Sequence, residues 1–322
     1  MNAAVVNNFG EAPRLAEFPE PVPGDGEVVV TVLAAALKPL DKQLASGRHY
    51  ASQSRKPPYV CGTDGAGRLE DGSRVLFVMP RWPYGAMAER TVAPRHLCFP
   101  LEDQVDDSTA AGVFNPGLSA WASLAWRAKM AAGETVLVLG ATGVTGQLAV
   151  QTARLLGAGR VIAAGRNQQV LNSLRQMGAD AVIQLDAPGE DLTEAFARAA
   201  APSGFDVIVD YLWGRPTEAL LAAITRRDFA AGSSAVRLVQ VGESAGPSIS
   251  LPAAALRSSR LEILGAGTGS ASPPEMWAVA LRELMARVAA GEVRIATRQV
   301  ALRDIEKEWG RDQRGCRFVI VP

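Results

Sequence analysis

The segment "ETVLVLGATGVTGQLAVQTARLLGA", Glu134 to Ala158, constrains this chain more than any other stretch. An apolar, β-branched run meets glycines at 140, 143 and 146 and then turns into a helix. Val144, Leu148, Leu155 and Leu156 fall on one face of that helix. Strand, glycine turn and helix in this order make an anion site. The first glycine permits the tight turn, the second lets a diphosphate approach the main chain, and the third lets helix and strand pack closely. The helix N-terminus adds free N–H groups and a partial positive charge. The expected contacts are Gly140, Thr142, Gly143, Val144, Thr145 and Gly146. A glycine turn needed only for close packing would read the same way, so the neighbouring residues decide.

The end of the next strand, "VIAAGRNQQ", narrows the choice. Sites that hold NAD place Asp or Glu about 20 residues on, where it binds the ribose 2′-hydroxyl. Here that position is Arg166, and no carboxylate occurs between Arg160 and Asp180. A guanidinium suits the 2′-phosphate of NADP, which a carboxylate would repel. The plain alternative is a solvated arginine at a strand end. NADPH is the expected cofactor.

Beyond residue 134 strands and helices alternate. Candidate strands are 135–140, 160–165, 181–185, 205–212, 236–242 and 260–267, which imply a parallel sheet wrapped by helices. The first third has another grammar. Residues 27–37, 71–79 and 85–94 read as strands, and 46–67 reads as a loop region rich in Gly, Pro and Ser. Residues 106–130 read as two helical stretches interrupted near Asn115-Pro116, because proline disfavours helical geometry in its predecessor. After a helix at 273–293, "CRFVIVP" (316–322) is a final strand suited to the β-rich first third. A discontinuous outer domain, with the α/β unit inserted, is expected.

Composition excludes several partners. Lys+Arg and Asp+Glu number 33 each among 322 residues, so the formal charge is zero. That leaves no basic field for nucleic acid and no polybasic patch for a membrane. Cys61, Cys98 and Cys316 are scattered, as in a reducing compartment. "MNAAVVNNFGEAPRL" has neither a basic start nor a long apolar core, so no signal peptide and a cytoplasmic location are expected.

The order of "GLSAW" (117–121), the glycine segment, "FDVIVDYLWG", "RLVQVGESAG" and "LEILGAGTGS" resembles the medium-chain dehydrogenase/reductase superfamily. Within it the chain is most similar to the zinc-free quinone oxidoreductase, or zeta-crystallin-like, branch. "LKPLDKQLASGRHY" (37–50), "CGTDGAG" (61–67) and "YGAMAERTVAP" (84–94) resemble segments of that branch. The resemblance covers nearly the whole chain. It implies a Rossmann doubly wound parallel sheet, residues 120–261, inserted in a β-rich GroES-like domain, residues 1–119 and 262–322. It implies hydride transfer from NADPH to a quinone or to the C=C of an α,β-unsaturated carbonyl, and a homodimer. Gly242 and Gly265, at the ends of later strands, complete the expected cofactor set.

Tyr50 is the polar residue that the resemblance brings forward; its phenol would hydrogen-bond a carbonyl or only shape the pocket. Lys38 stands where the branch usually has Asn. It would hold a substrate carbonyl, or be a replacement that spoils the usual contact. Asp41, Trp82 and Tyr84 are expected at the substrate pocket, with Trp121 and Trp213 as further aromatic walls or core. Asp41 and Asp64 are also candidates for fixing loop geometry. The pocket's shape is expected to come from loops 46–60, 80–85 and 265–275.

Zinc alcohol dehydrogenases carry Gly-His-Glu where this chain has Gly62-Thr63-Asp64, and His49 and His96 have no metal spacing. No metal is expected. "GESAG" does not centre its serine as a nucleophile elbow does. Two other readings stay open. One is an enoyl-thioester reductase resembling those of polyketide synthases. The other is a non-catalytic NADPH-binding protein with a structural or RNA-binding role.

Overall fold

Short strands build the N-terminal third: β1 (Asn2–Val6), β2 (Arg14–Glu17), β3 (Glu27–Ala36), β4 (Tyr59–Val60), β5 (Asp64–Arg68), β6 (Arg74–Val78), β7 (Arg90–Pro94) and β8 (Cys98–Pro100), with helix α1 (Pro39–Ala45) after β3. Helix α2 (Asp107–Trp121) leads to the alternating region. There the order is β9 (Thr135–Leu139), α3 (Val144–Leu155), β10 (Arg160–Gly165), α4 (Gln168–Gln176), β11 (Ala181–Gln184), α5 (Leu192–Ala200), β12 (Val207–Asp210), α6 (Gly214–Thr225), β13 (Val236–Gln240), α7 (Ala253–Ser258) and β14 (Leu261–Gly265). The chain closes with α8 (Pro274–Ala289), β15 (Ala296–Ala301), α9 (Ile305–Trp309) and β16 (Cys316–Val321). This computed structural model describes residues 1–52, 56–225, 235–267, 273–311 and 315–322. Parts of two expected pocket loops, 53–55 and 268–272, lie outside the described residues.

The chain divides into two units, Met1–Asn115 with Pro274–Pro322, and Pro116–Pro273. The inner unit holds one sheet in the order β11-β10-β9-β12-β13-β14. All its pairs are parallel. Parallel strands are covered on both faces, so they read as unbroken apolar runs; all five residues of β9 are buried. The connection order reverses between β9 and β12, the place where open α/β sheets form a ligand crevice at the carboxyl ends of their strands. Because β14 is the sixth strand of this sheet, the inner unit extends beyond residue 261, the end expected from the sequence.

The outer unit contains a three-stranded sheet, β2-β1-β4, and a larger one, β15-β16-β3-β5-β6-β8, with β7 also paired to β3. The final strand joins the β-rich first third, since β16 pairs with β3 at Val319↔Ala36. A core of Val30, Val32, Leu37, Phe77, Met87, Phe318 and Ile320, among others, lies beneath.

Two local expectations need correction. Residues 46–67 are not all loop, because β4 and the start of β5 lie there. The glycines of "DGAGR" that suggested a loop serve close packing. A β-carbon on Gly67 would sit 2.4 Å from Val30 Cγ1 and 2.5 Å from the Thr31 carbonyl oxygen. The helix is also not interrupted at Asn115-Pro116. It runs through Pro116 to Trp121 and continues as a π-helical turn over Ala122–Arg127. Packing overrides the local preference: Ala110, Ala111, Val113 and Phe114 are buried, and Gly112 lies against Ile295 and Thr297.

Gly67→Ala is expected to lower unfolding stability by about 2–3 kcal/mol, since the added methyl meets backbone. Gly310, where a β-carbon would meet nothing within 4 Å, is the control. Gly310→Ala should change stability by less than about 0.5 kcal/mol. Denaturant unfolding of both variants measures the contrast.

Candidate functional site

The three glycines after β9 do different work. Gly140 adopts φ +83°, and its N–H and that of Ala141 both donate to the Ala164 carbonyl at 2.9 Å. Gly146 lies against the turn itself: a β-carbon there would be 2.3 Å from Gly140 O and 2.5 Å from Ala141 Cα. Gly143 is exposed, and a β-carbon on it would reach only Gly140 O, at 3.4 Å. Helix and strand are thus pressed together at Gly146, while Gly143 leaves the approach open.

The first turn of α3 has no side-chain cap at Gly143. Its neighbours are capped. Asn167 accepts from Val170 N on α4 at 3.1 Å, and Asp191 accepts from Thr193 N on α5 at 2.8 Å. At α3 the amides of Val144, Thr145 and Gly146 are the ones available to an anion. Thr142 and Thr145 are half-buried beside them. Gly165 makes room for Thr142, whose Cγ2 would lie 2.4 Å from a β-carbon at that position.

One line of register crosses the sheet through Ala164, Leu139, Asp210, Gln240 and Gly265. Gly140, Arg166 and Gly242 stand just past that line and Gly265 on it, so the expected cofactor residues share one edge. Arg166 is exposed, and it makes no hydrogen bond or ion pair among the described residues. Gly242 passes close to β12; a β-carbon on it would be 2.8 Å from Tyr211 O. Gly265 offers its carbonyl to Arg127 Nε at 2.9 Å.

Sequence reasoning missed Asp210 at the same edge. Its carboxylate is fully buried and accepts from Leu212 N at 2.8 Å, Trp213 N at 3.0 Å and Thr217 Oγ1 at 2.6 Å. Burial pushes its carboxyl above the usual range against those hydrogen bonds. It fixes the loop at the crevice, where Trp213 holds φ +56°. The available signal was a lone acid ending the apolar run "FDVIVD".

The outer unit gathers a different group. Lys38 precedes α1, and its N–H donates to Asp41 Oδ2 at 2.8 Å. Its Nζ lies 3.0 Å from Asp64 Oδ2 and 3.4 Å from Asp41 Oδ2, and donates to Ala36 O at 3.1 Å. Arg317 on β16 donates to Leu37 O at 2.9 Å. Burial pushes the Lys38 pKa down, but the Asp41 and Asp64 carboxylates outweigh it and hold the pKa above the ordinary 10.5. Burial also raises the Cys61 thiol.

This corrects two expectations. Lys38 does not present a cation to substrate, because its side chain is 3% exposed and is enclosed by two carboxylates. Asp41 does not wall a pocket, because its carboxylate is buried in the cap of α1. Tyr50 is 61% exposed with its ring 4.1 Å from that of His49. Trp82 is exposed, and Tyr84 donates to Glu20 O at 3.2 Å with its ring edge-on to Phe18. Among the described residues no His, Cys, Asp and Glu group is arranged to hold a metal, and no helix is long and apolar enough to cross a membrane.

Comparison with known proteins agrees with this architecture. A family model described as zinc-binding dehydrogenase matches residues 144–286. "Probable NADPH-dependent quinone reductase tdiC" of Emericella nidulans is 26% identical, with all of both chains covered. "Quinone oxidoreductase" of Lama guanicoe is 30% identical over 66% of each chain. The chain belongs to the medium-chain dehydrogenase/reductase superfamily. Its place there is the quinone oxidoreductase-type branch. "Mycocerosic acid synthase-like polyketide synthase" of Mycobacterium tuberculosis is 31% identical over 62% of this chain, which spans only 10% of that protein. Among solved structures, AibC superposes with a TM-score of 0.84 at 26% identity, covering 100% of this chain and 96% of that one. A mycobacterial protein complexed with NADPH gives 0.85 at 22% identity, with both chains fully covered. In this medium-chain oxidoreductase the Rossmann unit carries the glycine edge and the GroES-like unit carries the buried charges.

Lys38→Met leaves two buried carboxylates without their ammonium and should cost roughly 3–5 kcal/mol at neutral pH. A base whose folded pKa is raised contributes fully below its unfolded value and loses that contribution as pH rises through the folded one. The stability gap between wild type and variant should therefore narrow above pH 10.5. Denaturant unfolding as a function of pH measures it.

Proposed function

We propose that this oxidoreductase uses NADPH and works without zinc, reducing a quinone or the C=C of an α,β-unsaturated carbonyl. The observation that carries the reading is Arg166, exposed and with no hydrogen bond or ion pair among the described residues, one strand away from the uncapped α3 amides. Those amides, of Val144, Thr145 and Gly146, would take the diphosphate, with Gly143 leaving the approach open, and the guanidinium would take the 2′-phosphate through its planar donor fork. Gly140, Thr142, Gly242 and Gly265 would border the cofactor along the same edge.

When bound, the nicotinamide supplies a hydride. Negative charge then develops on the acceptor's carbonyl oxygen, and a hydrogen bond to that oxygen lowers the barrier. Tyr50, with an exposed phenol, is the proposed donor; Lys38 is not, since its N–H groups point inward. Trp82 and Tyr84 are the proposed aromatic neighbours of the substrate. Zinc is left out because Asp64 is committed to Lys38 and Thr63 supplies neither nitrogen nor sulfur. A cytoplasmic homodimer is proposed on the family resemblance alone.

A second reading, reduction of an enoyl thioester, is favoured by the likeness to part of a polyketide synthase. Rates of NADPH oxidation with matched quinones, enones and enoyl thioesters separate the two, and turnover of thioesters alone would select the second. Arg166→Ala should raise the KM for NADPH roughly 10- to 100-fold, the worth of a charge-assisted phosphate contact, and leave that for NADH unchanged. An unchanged KM for NADPH would overturn the cofactor assignment.

A further inference from the structure

Strand β11 ends the inner sheet on one side, pairing only with β10 among the described residues. The register fixes which of its groups that pairing uses. Gly165 lies level with Gln184, and Leu185 N donates to Gly165 O at 2.9 Å. Inward and outward groups alternate along a strand, so Ile183 and Leu185 face β10. Val182 and Gln184 therefore turn their N–H and C=O outward, where no described residue bonds them.

An open groove of about 290 Å³ runs beside this edge, lined by β11 and by Glu190, Ala195, Arg198 and Ala199. Ala195 and Ala199 lie one turn apart on α5, and their small side chains leave room for a close neighbour. Glu190 and Arg198 stand at the two ends of α5, paired with each other and partly exposed. Charged residues and proline commonly guard a free edge, and β11, with the sequence AVIQ, carries neither. The opposite edge differs. There β14 carries Glu262, and its Gly265 carbonyl is taken by Arg127 Nε at 2.9 Å.

We propose that β11 is a pairing edge for a second copy of this chain, related to the first by a two-fold axis at Ile183. This rests on the homodimer reading above and gives it an interface. Antiparallel strands set outward residue opposite outward residue. With the axis at Ile183, Val182 of each copy faces Gln184 of the other, and their N–H and C=O groups bond across the axis. Such an interface must be complementary to itself. The axis turns the second α5 end for end beside the first, so the Glu190 end of each copy meets the Arg198 end of the other. A carboxylate at one end of the groove and a guanidinium at the other meet that requirement.

The test is sedimentation velocity of the full chain over a concentration series. Wild type should form a dimer or a larger even-numbered assembly. Val182→Pro removes an N–H that no bond within the chain uses, so the variant should fold, which far-ultraviolet circular dichroism checks. It should raise the dissociation constant at the β11 edge roughly 10- to 100-fold, the worth of two lost hydrogen bonds. Val182→Thr keeps the N–H and should change it less than about threefold. Amide hydrogen exchange of wild type decides even if the proline variant does not fold. The Val182 and Gln184 amides should exchange slowly in the assembly and quickly on dilution below its dissociation constant. Rapid exchange of both at high concentration, or an assembly unaltered by Val182→Pro, overturns the β11 interface and leaves the homodimer reading standing. A wild type that stays monomeric at the highest concentration overturns both.

Discussion

The close approach of Gly146 to the main chain of Gly140 is the contact on which the inner unit depends. No side chain fits there, since a β-carbon would fall 2.3 Å from the Gly140 oxygen. With that approach α3 starts directly at the exit of β9, and its first amides stand at the carboxyl edge of the sheet. Register carries the consequence across the sheet. Ala164, Leu139, Asp210, Gln240 and Gly265 lie level, so every loop leaving the carboxyl edge starts beside the next. Arg166 reaches that edge because β10 ends one residue earlier, at Gly165.

The two units treat charge in opposite ways. Among the described residues the inner unit leaves donors without partners at its edge, namely the first-turn amides of α3 and the guanidinium of Arg166. The outer unit uses up its charges inside. Lys38 meets Asp41 and Asp64, and Arg317 reaches the carbonyl beside Lys38. Free donors suit the capture of an anion, whereas the buried ion pairs of Lys38 tie the start of α1 to β5. Both are consequences of desolvation: a charge or donor removed from water needs a partner, and a site for a ligand is where the protein does not supply one.

The inner unit was the more legible in sequence. Its strands are covered on both faces, so each appears as an unbroken apolar run, and β10 occupies Arg160–Gly165 as its run predicts. The glycine spacing and Arg166 were legible because their chemistry is local. The outer unit was read less well where packing decides. Gly65 and Gly67 read as part of a loop because a glycine's neighbours are invisible in one dimension. Pro116 looked like a break because the contacts of Gly112 come from residues about 180 positions later. Lys38 looked like a free cation because Asp64 and Arg317, which bury and engage its surroundings, are distant in the chain. Asp210 went unnoticed because a single acid at a strand end has no pattern of its own.

The central claim is that main-chain amides after β9 hold the diphosphate of a nicotinamide dinucleotide. The amide proton–nitrogen spectrum of the labelled protein, titrated with NADP, tests it most directly. The account predicts that the resonances of Val144, Thr145 and Gly146 move on binding, while those of the capped helix start at Thr193 stay in place. Saturation with the dinucleotide without any shift at these three amides would contradict it.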